Sequence, residues 1–192
     1  MRVTKEKAQE NRDRIVDTAA VLFREHGFDS VGVAQLMEQA GFTHGGFYNH
    51  FRSKEGLVVE AAAKAFGETA ARYSGRDAVV AIELYISREH RDARGHGCPA
   101  AALSGEAARQ PDETKSVFAV GIENLVRVLE DDIARRKAHA SEARMQAINV
   151  FAQAVGAIVL SRACPDNSML ADEILDACRA DCLSTIQHGA RK

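Results

Sequence analysis

Hydrophobic positions recur at intervals of three and four along most of this chain, the repeat expected of helices that each lay one face on a core. Val33, Leu36, Met37 and Ala40 stand at i, i+3, i+4 and i+7, so residues 33–40 read as a short amphipathic helix. Gly41 follows as a residue that tolerates a left-handed conformation, and Phe42 as an apolar contact back to the last turn. Thr43, whose hydroxyl can accept from a first-turn N–H, opens a second short helix reaching Phe51. Upstream, residues 4–26 predict a helix with Ile15, Ala19, Leu22 and Phe23 on one side, ended by Gly27 and suited to close a small core with Leu36, Met37, Phe47 and Phe51. Two short helices joined by a Gly-containing turn cross steeply and leave the N-terminal face of the second projecting, the arrangement that reaches into a DNA major groove.

Beyond this unit, Ser53 begins a long helix with Val58, Ala62, Phe66 and Ala70 at four-residue intervals, extending to about residue 73. Gly75 breaks it, Asp77 can cap a helix to about residue 88, and the polar run of residues 88–97 reads as a loop. Cys98 and Pro99 stand at the N-cap and first position of a helix of small residues. A further helix opens at Pro111 or Asp112, with Phe118, Ile122, Leu125, Leu129 and Ile133 on its inner stripe. Residues 147–160 are apolar almost all round, interrupted chiefly by Asn149, Gln153 and Gly156, and residues 167–188 align Ala171, Ile174, Leu175, Cys178 and Cys182. The last two helices therefore carry more apolar surface than one packing face uses, and are expected to pair with a second copy in an isologous four-helix interface.

With three prolines, no strand-like alternation and no Gly/Ser linker, the fold expected is all-α with about nine helices. A three-helix helix-turn-helix domain over residues 1–52 is followed by a larger bundle over residues 53–192. The composition, 46% hydrophobic and 27% charged over 192 residues, is that of an ordinary globular chain. No apolar run stands out as membrane-spanning and no secretory signal opens the chain, so no membrane partner and a cytoplasmic setting are expected. Residues 1–54 hold eight Lys or Arg against seven Asp or Glu, a net of +1, so this is not a basic domain overall. Its basic residues gather at Arg2, Lys5, Lys7, Arg12 and Arg14, read either as DNA-backbone contacts or as a solvated arm.

Gly27–Phe28, the AGFT of residues 40–43, the GGFYNHF of residues 45–51 and the SKE of residues 53–55 together resemble the DNA-binding signature of the TetR family of bacterial transcriptional regulators. The resemblance covers about the first quarter of the chain. It implies a homodimer with an N-terminal DNA-binding domain and a C-terminal domain that dimerises and holds an effector, bound to palindromic operator DNA and acting by default as a repressor. The candidate DNA-binding set is Thr43, His44, Gly45, Tyr48, Asn49, His50 and Lys54. Thr43, His44 and Tyr48 can donate to phosphates or base edges, Asn49 carries an amide suited to bidentate base contact, and Lys54 matches the family's phosphate-binding Lys. Val31, Gly32, Ala34, His44 and Gly46 depart from the residues usual in the family, so fewer side-chain phosphate contacts are expected.

For the effector pocket the inward-facing candidates are Phe66, Ala70, Tyr73, Tyr85, Leu103, Phe118, Ile122, Phe151 and Val155, with Ile86 as a further neighbour. For any one of them ordinary core packing is the commoner role, and only as a set do they suggest a mainly hydrophobic cavity. Asn124, Gln153 and the Tyr85 hydroxyl are candidate polar anchors for a small, mainly apolar effector. Cys98 at a helix N-terminus, near Arg94 and His96, is a candidate redox or electrophile switch, since a helix dipole and nearby cations lower a thiol pKa; a small residue filling a bend explains it as well. An enzyme built on His90, His96 and Cys98 with Glu89 or Asp92 is a remote alternative, because all lie in one stretch with nothing to fix their geometry. No cofactor and no metal are expected from the Cys and His spacing.

Overall fold

The computed structural model describes residues 4–135 and 140–188; Arg2 of the basic arm lies outside them. All regular structure among the described residues is helical. Helix α1 (Lys5–His26) starts where extended Thr4 accepts the Lys7 N–H at 3.2 Å, and ends where the Gly27 N–H returns to the Phe23 carbonyl. Helix α2 (Val33–Gln39) buries Leu36 and Met37 and closes as its sequence predicts: Gly41 takes φ +80° and the Phe42 N–H reaches back to the Met37 carbonyl at 2.8 Å.

The next segment corrects the sequence reading. His44–Asn49 is a 3-10 helix, not an α-helix, and the Thr43 side chain makes no cap bond. Gly45 and Gly46 give the first turn little helical preference, and without a cap nothing holds it open to the wider α form. Phe47 and Phe51 still turn inward, buried with their rings 5.5 Å apart.

Helix α3 (Lys54–Tyr73) starts at Ser53, whose hydroxyl accepts the Gly56 N–H, and α4 (Ala78–Tyr85) at Asp77, which accepts the Val79 N–H at 2.8 Å. The stretch expected to be a loop instead forms α5 (Arg88–Asp92) and a 3-10 turn at Arg94–His96. Ser87 caps α5, and Arg91, 1% exposed, donates to the Ser161 and Cys164 carbonyls and the Ser161 hydroxyl. A polar sequence thus enters the interior because its guanidinium satisfies the last carbonyls of another helix. Helices α6 (Pro99–Ala107), α7 (Asp112–Arg135), α8 (Ala140–Ala163) and α9 (Met169–His188) complete the bundle.

Helix α3 joins the N-terminal unit to the body. On one side Arg12 of α1 makes a bidentate pair with Glu60 at 2.5 Å and Lys64 reaches Asp17 at 2.7 Å. On the other, Phe66 occupies the space over Gly121 of α7 that a Cβ would take, and meets Phe118 edge-on at 5.1 Å. Phe28 extends this aromatic contact to the turn after α1, its centroid 6.4 Å from Phe118. Ser53 caps α3, and one continuous buried core runs from the N-terminal helices through α3 into the body.

Helix α8 departs from the expectation about apolar runs: Glu142–Ala163 is long and apolar enough to cross a membrane by composition alone, with a mean hydropathy of 1.3. It packs against α7 and α9 instead, burying Ala143, Ala147, Val150, Ala154 and Ile158. Its opposite side leaves Met145, Ile148, Val159 and Leu160 exposed, beside Met169 and Leu170 at the start of α9.

Candidate nucleic-acid interface and ligand cavity

Thr43, His44, Gly45, Tyr48 and Asn49 are all exposed, Tyr48 by 68%, on a segment anchored by the buried Phe47 and Phe51. One short turn thus presents five of the seven candidate residues to solvent. Gly45 has open space where a Cβ would project, which lets another surface approach the backbone there. His50 is half-buried, its ring tilted against Phe42 and Phe51, so it serves partly as scaffold. Lys54 is the first residue of α3, held beside this segment by the Ser53 cap. Of the basic residues on α1, Lys7 pairs with Glu10 and Arg12 with Glu60, which removes them from the freely available positive charge.

A narrow cavity of about 20 Å³ lies between the end of α3 and helices α4, α7 and α8. Tyr73, Tyr85 and Phe151 of the expected residues meet there, joined by Ala81, Ile82, Leu125, Val128, Leu129 and Ala154. The other expected lining residues go elsewhere. Phe66, Phe118 and Leu103 are fully used in the core, Ala70 packs at its edge, and Ile86 is buried without reaching the cavity. Ile122 and Val155 line a separate, shallower groove between α6, α7 and α8. Asn124 is exposed, and Gln153 turns to α9, where its amide donates to Asp181 at 3.0 Å. The residues missed lie on the inward stripes of α4, α7 and α8; periodicity marks them as core, but only the packing of α4 against α7 and α8 opens a space beside them.

The cavity wall carries no charged side chain. Tyr85 is fully buried there, and burial together with the neighbouring Cys98 thiol pushes its phenol well above the ordinary value, so it stays a neutral hydroxyl. Beyond the Cys98 thiol, that hydroxyl has no hydrogen-bond partner among the described residues. Against the Tyr85 ring, at 4.5 Å and edge-on, sits His90. Its Nδ1 bonds the Tyr85 carbonyl at 2.7 Å and its Nε2 accepts the Cys98 backbone N–H at 2.9 Å, which fixes the neutral tautomer with the proton on Nδ1. Burial lowers its pKa from 6.5 to about 4.

The expectation for Cys98 is corrected in its electrostatics. Cys98 does stand at the N-cap of α6, but it is 1% exposed, and burial outweighs the local hydrogen bonds and cations and raises the thiol pKa. Both His90 nitrogens are occupied, so His90 is not poised as a base for this thiol, and His96 is on the surface.

The sequence model described as bacterial regulatory proteins, tetR family, matches residues 15–68, the segment that builds α1, α2, the 3-10 turn and the first part of α3. Over this unit the chain is similar to the TetR family. Over 59 residues it is 41% identical to the HTH-type transcriptional regulator AcrR of Shigella flexneri, a match covering 31% of this chain and 27% of AcrR. The chain thus spans about a quarter of the length of that curated relative. The whole fold is shared with a TetR transcriptional regulator of Chloroflexus aurantiacus, at TM-score 0.75, 23% identity and 95% and 96% coverage of the two chains. It is shared equally with the reduced form of E. coli NemR, at TM-score 0.74, 19% identity and 90% and 95% coverage.

Proposed function

We propose that this TetR-family protein is a DNA-binding transcriptional regulator, most simply a repressor, which binds palindromic operator DNA as a dimer and leaves it when a small apolar effector enters the cavity. The observation that carries the DNA-binding reading is the exposed turn Thr43–Asn49 on a fully buried Phe47/Phe51 scaffold, with Lys54 beside it, inside the segment that matches the family. The dimer reading draws on the apolar residues Met145, Ile148, Val159, Leu160, Met169 and Leu170, which a second copy would cover. A membrane has no part in it, and the working compartment is the cytoplasm, with nucleoid association when operator is bound.

Effector class follows from the cavity wall. The space as it stands holds no more than about one water, so an effector must part α4 from α7 and α8; the aromatic and aliphatic side chains and the Tyr85 hydroxyl would then suit a compact neutral molecule carrying one hydrogen-bond acceptor. Two elements touch both the cavity and the DNA-binding unit. Helix α3 contributes Tyr73 to the wall and Lys54 to the interface. Helix α6 is tied at its start through His90 to the Tyr85 carbonyl, and near its end through Glu106 to the turn after α1. An effector acts only if it binds the released conformer more tightly than the DNA-bound one.

The test is titration of operator DNA, taken from upstream of the protein's own gene, into wild type and into the Tyr48→Ala and Lys54→Ala variants. Both variants should bind at least several-fold more weakly on every sequence and show a flatter salt dependence, while Asn49→Ala should relax sequence preference. Retained affinity in both Tyr48→Ala and Lys54→Ala would remove this placement of the DNA surface. The redox- or electrophile-responsive alternative through Cys98 predicts loss of the oxidant response in Cys98→Ser; its buried, raised-pKa thiol gives that reading less support than the cavity gives the effector.

A further inference from the structure

We infer that Arg14 is a phosphate-binding residue of the DNA interface, held ready by the α2-to-recognition turn; this rests on the DNA-binding reading above. Its guanidinium carbon lies 5.2 Å from the centroid of the Phe42 ring, and a terminal nitrogen fills the space that a Cβ on Gly41 would occupy. Gly41, at φ +80°, is therefore required twice, once for the backbone turn and once to admit the guanidinium. Gly41 and Phe42 immediately precede Thr43, the first residue of the exposed DNA-reading segment.

The charge on Arg14 is not consumed within the protein. The residue is exposed, and among the described residues no carboxylate pairs with it, in contrast to Lys7, Arg12, Arg24 and Lys64, which all have acidic partners. A guanidinium stacked on an aromatic face has lost rotational freedom in advance while its outer N–H groups stay open, the condition in which the planar fork grips a phosphate in two places. Long basic side chains on helix surfaces usually sweep through many rotamers, so this fixed placement lowers the entropy lost on contact. Arg14 thus supplies a cation beside the recognition turn, where the departures at Gly32, His44 and Gly46 leave side-chain phosphate contacts sparse.

The experiment measures operator affinity as a function of salt for wild type, Arg14→Gln, Arg14→Lys and the control Lys54→Ala, with melting temperature recorded for each. Loss of one phosphate contact should reduce the magnitude of the log K against log salt slope by about 0.9 in Arg14→Gln. Affinity near physiological salt should fall about three- to tenfold, with melting unchanged. Arg14→Lys should recover the slope and only part of the affinity, because an ammonium keeps the charge without the fork. If Arg14→Gln fails to fold, Phe42→Leu removes the ring under the guanidinium while keeping an apolar contact, and should weaken operator binding by itself. A wild-type slope in folded Arg14→Gln, or wild-type affinity in Phe42→Leu, overturns the inference. Loss of slope in Lys54→Ala alone leaves the DNA-binding reading standing without Arg14, whereas absence of salt-dependent DNA binding by wild type removes both.

Discussion

The Glu106 carboxylate accepts the Phe28 backbone N–H at 2.7 Å and covers Gly27, so a side chain of α6 closes the end of α1. The contact is 78 residues long in sequence and joins the body to the turn that leads into α2. Glu106→Ala leaves that buried-side amide without its acceptor and is expected to cost about 1–3 kcal/mol of unfolding free energy. Urea denaturation and exchange of the Phe28 amide proton measure it; Glu106→Gln, which retains a carbonyl acceptor, should fall between the two. Wild-type protection of Phe28 in Glu106→Ala would show that the turn does not depend on this bond.

At Gly121 a ring of α3 lies directly on α7, and any Cβ there runs into Phe66. Gly121→Ala should destabilise the protein by about 1–3 kcal/mol through overpacking, despite the better helix propensity of Ala. A second change, Phe66→Leu, should restore part of the loss. Gly121→Ala melting at or above the wild-type temperature would contradict the packing described.

Beyond the weakly bonding Cys98 thiol, the buried Tyr85 hydroxyl has no hydrogen-bond partner among the described residues. Tyr85→Phe removes a polar group from an apolar site at almost constant volume, so the apo protein should gain stability or stay unchanged, by up to about 1 kcal/mol. The same change should weaken any effector that accepts from this hydroxyl. Calorimetric melting of the apo protein decides the first point, and a loss of more than about 1 kcal/mol would mean that the hydroxyl is already satisfied.

His90 has a pH signature. Its imidazole takes up a proton near pH 6.5 when the chain is unfolded, but only near pH 4 when folded. Between these values the unfolded chain binds more protons, so stability is full above pH 6.5 and is lost as the pH falls towards 4. The contribution is about 3 kcal/mol, from 1.36 kcal/mol per pKa unit. Unfolding free energies of wild type and His90→Gln, compared from pH 7 to pH 4, should converge as the pH falls; parallel curves would exclude a buried neutral His90.

Much of the DNA-binding unit is legible in the sequence because its determinants are local. Gly41 sets a backbone angle, Thr4 and Ser53 set caps, and the three- and four-residue spacing of Leu36, Met37, Phe47 and Phe51 sets the buried face. The 3-10 form of residues 44–49 was less legible, since it depends on Thr43 failing to cap, a matter of side-chain geometry.

The cavity was legible only in part, since Phe66, Tyr73, Phe118 and Phe151 look alike as inward aromatics on helices. Phe66 covers Gly121 and meets Phe118 edge-on, while Tyr73 and Phe151 lie on either side of Tyr85 around the narrow cavity. Cys98 shows the same limit. Its place at a helix N-terminus was written in Cys98–Pro99, and that position favours a thiolate, but its burial comes from helices distant in sequence and reverses the sign of the shift.

The sequence by itself determined most of the long helices, several of their ends and the place of the exposed turn from Thr43 to Asn49, because propensity, capping and periodicity act over a few residues. Only the tertiary structure decided which apolar residues enclose a cavity, which cations are spent on carboxylates, and which residue of α6 holds the turn after α1. Those outcomes depend on distances between segments tens of residues apart, and no local pattern encodes such distances.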